Sequence, residues 1–454
     1  MMNRSLLILF SLLLLYSCGG DKYVYEPIEF PNPEPEPTLT ETELLDLVQQ
    51  STFKYFWDFA EANSGCARER YHVDDPNNDA TTVAVGGTGF GLMAILVGIE
   101  RGYVTRVQAV ERLNTILNFL ENADRFHGAW PHWLDGTSGH VKPFSSDDDG
   151  GDLVETAYLC QGLITVSEYF KNGSDTEKAL SGKADELWKG VEWDWYTQGQ
   201  DVLYWHWSPN YEFSKNMQLK GYNEVLITYI LAAASPDHNI SKEAYTNGWA
   251  SNGNIKSSAT AYGIPLLVDF AGDAPKGGPL FWAHYSYLGL NPRGLTDQYV
   301  NYWNVNVNQT KIDFEYCKEN PKKFAGYGKD CWGLTASYTR NPDGTTGYNA
   351  HSPSNDTGVI SPTAAVSSIV YTPKESLDAM YHFYSLKDKL LGPAGFYDAF
   401  SPHYDWYTRR YLAIDQGPMI IMIENYRTKL LWNAFMKNTD VQAGLTKLGF
   451  TYEK

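Results

Sequence analysis

Cations are scarce in this sequence. Lys and Arg number 36 against 54 Asp and Glu, a formal net charge of −18. Such a chain repels the phosphates of nucleic acid and of anionic lipid surfaces, so neither is expected as a partner. A neutral ligand suits it better. Cysteine is also sparse, with five in 454 residues. No CxxC or HExxH pattern occurs, which speaks against a structural or catalytic zinc, and no cofactor or metal is expected. Strand-like alternation is scarce, and no segment repeats at a fixed period, so an open helical-repeat array has no support. No apolar run reaches the length of a membrane span; the N-terminal one, Leu6 to Tyr16, is too short to cross a bilayer.

That run has the length of a signal-peptide core, and the segment 1–17 is read as one. It ends in Leu15-Tyr16-Ser17-Cys18, which resembles a bacterial lipobox, in which Cys18 is acylated and becomes the first mature residue. An ordinary cleaved signal with an incidental cysteine is the plainer alternative. Residues 18–38 add alternating Pro and Glu, an extended and self-repelling tether. The expected location is the cell envelope, as an outer-membrane lipoprotein held by its lipid alone. Residues 39–454 form one globular stretch, expected to act as a monomer. Of its four cysteines, Cys317 and Cys331 are the first candidates for a disulfide, with buried free thiols as the alternative.

Most of this stretch scans as helix. Segments 44–60 and 106–123 are amphipathic, and 176–191 is polar on one side. Segments 82–102, 152–170 and 221–235 are apolar nearly all round. The first kind covers a core and the second lies within it. Further helices are expected near 241–250, 282–290, 309–319, 361–371, 373–390 and 418–436, with short hairpins near 126–145 and 200–213. About twelve helices of alternating type give an all-α fold, an (α/α)6 barrel of six inner and six outer helices.

The densest charge is "SSDDDGGDLVET", residues 145–156. Asp148, Asp152 and Glu155 are spaced i, i+4, i+7, which puts them on one face if a helix begins near Asp148. An EF-hand reading fails, since position twelve would be Thr156 and position one lacks a carboxylate. Glu224 stands ahead of the apolar segment in "KGYNEVLITYILAAASP". Asp415 stands just before a helix whose first turn should hold Pro418. Inner helices of such a barrel run the same way, so carboxylates at their N-termini meet at one end. An acid at a helix start is more often a simple cap, but several on buried helices are harder to explain so. Glu424 is set aside because Arg427, three residues on, can pair with it. Two carboxyls across a pocket are the equipment of glycoside hydrolysis. Aromatic clusters offer sugar-stacking surfaces: Trp130, His132 and Trp133; Trp205, Trp207 and Tyr211; Tyr404, Trp406 and Tyr407.

At these residues the chain resembles a known family. The ordered segments "GFGLMAILVGIERGYVTR", "HGAWPHWLDGTSG", "VETAYLCQGLI", "GYNEVLITYILAAASP" and "PLFWAHYSY" look like the bacterial glucoamylase-like proteins of glycoside hydrolase family 144, over about residues 40–450. The resemblance implies an (α/α)6 barrel that hydrolyses β-1,2-glucan, by endo action or by release of sophorose. It implies Glu224 as candidate acid and Asp415 as candidate base; because the two start on different helices across a barrel, with a gap wide enough for water, an inverting reaction is expected. Asp148, Asp152 and Glu155 then line the cleft, with Tyr285 of the last segment among the substrate-binding residues. Glu155 stands where an Asp is expected. Two rival classes remain: a polysaccharide lyase on a helical barrel, disfavoured by the acidic chain, and a non-catalytic sugar-binding surface lipoprotein, which leaves the converging carboxylates unexplained.

Overall fold

The computed structural model describes residues 39–272 and 274–453. The expected signal segment, Cys18 and the tether to residue 38 lie outside the described residues. Among the described residues, no helix is long and apolar enough to cross a membrane.

Outer helices announce themselves by their caps. α1 (Glu41–Trp57), α3 (Arg106–Asn122) and α5 (Asp175–Lys189) each begin with a capping box, Thr40 with Glu43, Thr105 with Gln108 and Ser174 with Glu177. Each buries one face only. Between them run α2 (Val85–Glu100), α4 (Leu153–Phe170) and α6 (Leu226–Ala234), buried along almost their whole length. An apolar helix must be enclosed, and an amphipathic one has a single face to give to the enclosure. The fourth pair is degraded. Its outer member is a π-helical turn, Ala244–Trp249, and its inner member two 3₁₀ segments, Leu280–Ala283 and Tyr285–Tyr287. Then come α7 (Tyr302–Glu319), outer, and α8 (Pro362–Ser367) with the 3₁₀ turn Ser368–Val370, inner. α9 (Pro373–Ser385), continued by α10 (Lys387–Leu390), is outer, and α11 (Ala413–Arg427) is inner. α12 (Leu430–Phe435) packs on α4 and α11, and α13 (Thr439–Leu448) on α6.

The inner ring closes. α2 packs on α4 and α11, α4 on α6, α6 on the Tyr285 turn, and α8 on α11. His284 Nε2 lies 3.0 Å from Ser368 Oγ, and the Tyr371 hydroxyl donates to Ala283 O at 2.7 Å, joining the fourth inner segment to the fifth. This is the expected (α/α)6 barrel. The tightest crossing is backbone on backbone: a Cβ on Gly89 of α2 would lie 2.2 Å from Tyr158 O, and one on Gly162 of α4 would lie 2.2 Å from Gly89 O.

Several boundaries differ from expectation. α6 starts at Leu226, not near 221, because Asn223 and Ser286 turn the preceding chain, accepting from Val225 N and Ile227 N. α11 begins at Ala413, so Pro418 is its sixth residue and Asp415 lies inside the first turn. α13 and the 336–340/346–350 hairpin were not expected. The 133–135/141–142 hairpin forms as expected. Strand 206–207 instead pairs with Gly151–Asp152. Cys66, Cys160, Cys317 and Cys331 are all buried free thiols, so no Cys317–Cys331 bond forms.

Glu424 does not pair with Arg427 as its spacing suggested. It is 1% exposed and accepts from Arg101 Nε (2.7 Å) and Nη2 (2.8 Å), Gln49 Nε2 (2.9 Å) and Thr428 Oγ1 (2.7 Å). Arg427 turns outward to Asp46 at 2.6 Å. The bidentate pair ties α2 to α11 at the end away from Asp415. Glu424→Ala takes both acceptors from the Arg101 guanidinium and leaves Gln49 only the Ile420 carbonyl, at 3.3 Å. It should lower unfolding free energy by about 3 kcal/mol, the lower range for breaking a buried pair. Urea denaturation of the variant measures this; a loss under about 1 kcal/mol would mean the pair is merely a surface contact.

Candidate active site

A cavity of about 550 Å³ opens where the inner helices begin. Three carboxylates line it: Glu69, Glu155 and Glu224. Glu224 precedes α6 in irregular backbone. Its carbonyl accepts from Ser286 Oγ and, at 3.4 Å, from the Tyr158 hydroxyl, so two neighbouring inner segments hold it in place. Glu155 lies in the first turn of α4 and accepts from Gly86 N, in the first turn of α2, at 2.8 Å. A Cβ on Gly86 would stand 2.4 Å from that carboxylate oxygen, so only glycine admits the bond.

Asp152 is the N-cap of α4 and is fully buried. Its Oδ1 accepts from Val154 N (3.0 Å), Glu155 N (2.9 Å) and the Trp205 indole (3.0 Å), while His132 Nδ1 lies 2.9 Å from Oδ2. Asp148, Asp152 and Glu155 therefore do not share one helical face, since the helix begins at Leu153 and Asp148 sits in the loop before it. The loop folds Asp148 back instead: His206 Nδ1 is 3.3 Å from its Oδ1 and Lys215 Nζ 3.5 Å from its Oδ2.

Burial pushes the Asp152 carboxyl up, but the His132 hydrogen bond and the His206 and His132 charges outweigh it and hold Asp152 below the usual carboxylate range. Burial alone would push His132 down; Glu155, Asp152 and Asp148 carry it up to about 9. Glu155 is pushed up to about 7 by burial, against the pull of His132 and with the push of Asp152. Glu224 also reaches about 7 through burial, with smaller pushes from Glu155 and Asp152. The site thus contains one fixed anion, one histidinium and two carboxyls that keep their protons near neutrality.

Asp415 is absent from the cavity lining, where Leu412 and Ile414 stand instead. It is 2% exposed, and neither carboxylate oxygen meets an N–H or hydroxyl donor. Its carboxyl meets that of Asp398, which accepts from Tyr338 N at 2.7 Å. Burial first, then the Asp398 charge, drive Asp415 well above the usual range, and burial takes Asp398 up to about 6. A helix N-terminus ordinarily favours an anion, but burial prevails at Asp415: the dipole is worth about 1 kcal/mol, against several for burying a carboxylate. Two such carboxyls share a proton.

Of the expected aromatic residues, His132, Trp133, Trp205 and Tyr285 line the cavity. Trp130 does not: it is fully buried, donates to Leu120 O at 3.0 Å and carries the Arg125 guanidinium 3.9 Å from its ring, so it belongs to the core. Trp406 packs against a small core of Tyr338, Val359, Ala399 and Leu412. Tyr211 is 53% exposed and Trp207 lines a different cavity. Residues that the sequence reading missed include Glu69, paired with Arg70, and Tyr158, Phe281, Tyr338, Tyr348 and Arg410. Several lie in short antiparallel pairs, Arg70–His72 with Arg410–Leu412 and 336–340 with 346–350. Only Asp398, an acid set between aromatics with no cation nearby in sequence, carried a local signal.

His132, Asp148 and Asp152 each offer one ligand atom within 4.8 Å of the others, a set that could hold a divalent cation. Lys215 and the raised His132 already bring positive charge to those oxygens. Chemically, the cavity combines a neutral acid with aromatic walls, a setting suited to protonating a leaving oxygen on a neutral ligand.

The Glycoamylase family model, described as "Putative glucoamylase", matches residues 216–439. The chain is 56% identical to an endo-β-1,2-glucanase from Chitinophaga pinensis solved with sophorotriose and glucose, covering 91% of this chain and 99% of that one, with a TM-score of 0.88. It is 45% identical over 433 residues to an exo β-1,2-glucooligosaccharide sophorohydrolase (non-reducing end) from Parabacteroides distasonis. That match covers 90% of this chain and 58% of the relative, so the chain spans little more than half of that protein. An endo-β-1,2-glucanase from Talaromyces funiculosus, 12% identical with a TM-score of 0.63, shares the fold. More than half identical to a solved relative along nearly the whole of both, the chain belongs to the bacterial glucoamylase-like proteins of glycoside hydrolase family 144.

Proposed function

We propose that the protein hydrolyses β-1,2-linked glucan with inversion, Glu224 acting as the general acid. The observation that carries this is Glu224 itself, a carboxyl on the wall of an aromatic cavity and held near 7 by burial. An acid must hold its proton until the glycosidic oxygen takes it, and a group that titrates near the working pH does this best. The relatives' activities on β-1,2-glucan and its oligosaccharides support the linkage. For the base we keep Asp415, acting with Asp398 as one carboxyl pair with a single negative charge. Because neither member of the pair lines the cavity, the water's proton reaches it through a relay, such as a substrate hydroxyl. The rival base is Glu155, which does line the cavity.

Glu224→Gln should lose at least about a hundredfold in rate on linear β-1,2-glucan while melting as the parent does, and Asp415→Asn and Asp398→Asn should lose comparably. Reducing-sugar release measures all three. A near-normal Asp415→Asn beside an inactive Glu155→Gln would move the base to Glu155. Proton NMR of the first product should show the α-anomer; the β-anomer would mean retention.

The pH profile has a definite sign. The acid must be protonated, so kcat/KM falls as pH rises through about 7, the value for Glu224. The base pair must carry its charge, so kcat/KM falls as pH drops through about 6, the value for Asp398. A narrow bell between these values is expected. A profile still rising at pH 9 would remove Glu224 as the acid.

We also infer that Cys18 carries lipid, on the strength of the lipobox-like segment before it. Cys18→Ala should shift the protein from the membrane fraction to the soluble one or leave it unprocessed. A variant that remains lipidated and membrane-bound overturns this.

A further inference from the structure

A second cavity, of about 800 Å³, shares no lining residue with the first. Its wall is a stacked aromatic group. The Trp195 indole lies parallel to the His127 ring, with centroids 3.8 Å apart and 15° between planes, and Trp207 meets the same imidazole edge-on at 4.9 Å. Trp195 remains 43% exposed. Around it stand Glu192, Asp194, Glu212 and Gln198. Glu192 orients His127 (3.2 Å to Nδ1), and Asp194 accepts from Trp195 N at 3.1 Å. Three lining residues that are not glycine, His127, Gln198 and Glu212, take left-handed φ of 49°, 51° and 51°. Such backbone is uncommon outside glycine and gathers where a binding surface needs a particular shape.

The chemistry selects the ligand. A flat indole that is open on the surface, ringed by carboxylate and amide oxygens, offers an apolar face for the C–H side of a pyranose and acceptors for its hydroxyls. Glu192 and Asp194 lie 3.2 Å from the Nδ1 atoms of His127 and His238, and with Glu212 they make a rim better suited to a neutral ligand than to an anion. The wall is also tied to the catalytic end. In the strand 206–207, paired with Gly151–Asp152, successive side chains point to opposite faces: His206 goes to the Asp148–Asp152 cluster and Trp207 to the second cavity.

We propose that this cavity is a surface site for a neutral glucan chain, which retains a long substrate beside the active site. The identity of the polymer rests on the functional reading above.

The test separates binding from turnover. Native gels containing long linear β-1,2-glucan retard the Glu224→Gln chain in proportion to its affinity. Adding Trp195→Ala should weaken that retardation at least about fivefold, roughly the loss of one aromatic stacking contact, and Trp195→Phe should restore much of it. In the otherwise native chain, Trp195→Ala should lower kcat/KM on the long glucan and leave it unchanged on a β-1,2-linked tetrasaccharide. Unaltered retardation overturns the site. An equal loss on the tetrasaccharide also overturns it, by placing Trp195 in the catalytic cleft. If the native chain releases no reducing ends from β-1,2-glucan, the functional reading fails on its own. The same gels cast with β-1,3- and β-1,4-glucans then decide the site: Trp195-dependent retardation in either upholds it, and none in both overturns it.

Discussion

The end of the barrel that matters is organised around the Asp152 carboxylate. It is fully enclosed, and it survives as an anion only because four donors converge on it: two amides of its own helix, the Trp205 indole and His132. Unpaired, a buried carboxylate would cost several kcal/mol. Each donor it recruits has a consequence. The amides start α4 at Leu153, and that start sets where Glu155 projects. The indole places Trp205 on the cavity wall. The imidazole becomes a cation and joins the wall as well. Asp152 in turn adds to the forces that keep protons on Glu155 and Glu224.

Helix polarity does less than the topology suggests. Inner helices that run the same way bring their N-termini together, and the Gly86 amide reaching Glu155 is the direct product. Asp415 has the same address, in the first turn of α11, and the opposite behaviour. The difference is donors. Asp152 has four and Glu155 one, while Asp415 faces only another carboxyl. A dipole of about 1 kcal/mol cannot offset the burial of an unsatisfied anion, so the local hydrogen bonds decide each group's charge.

This also explains what could be read in advance. The barrel was legible because capping boxes and the alternation of amphipathic with all-apolar segments are local patterns, and Ser174 with Glu177 or the run from Leu153 states its role within one helix. Glu224 was legible as an acid set against an apolar run. The charged partners were not: Arg101 lies 323 positions from Glu424, a separation no spacing rule reaches, and the nearer Arg427 misled. Trp130 misled for a similar reason. It sits among loop aromatics, yet Arg125 and the Leu120 carbonyl draw it into the core. Site residues on two- and three-residue strands, such as Arg70, His206 and Arg410, were invisible because segments so short have no period to detect.

The net charge of −18 and a neutral sugar can now be reconciled. Crowding carboxylates into one cavity should raise a field hostile to leaving-group departure, because a general acid held in such a field resists giving up its proton. The site limits that field in three ways. Glu69 is neutralised by Arg70, and Asp148 by Lys215. His132 answers Asp152. Glu155 and Glu224, and one member of the Asp398–Asp415 pair, retain protons near neutrality. The cavity is therefore far less negative than its composition, and the surface charge lies elsewhere, screened within about 10 Å at ordinary ionic strength. Acidic residues serve here mainly as a store of protons whose affinities are spread by burial and by donors, which acid–base chemistry on an uncharged polymer requires.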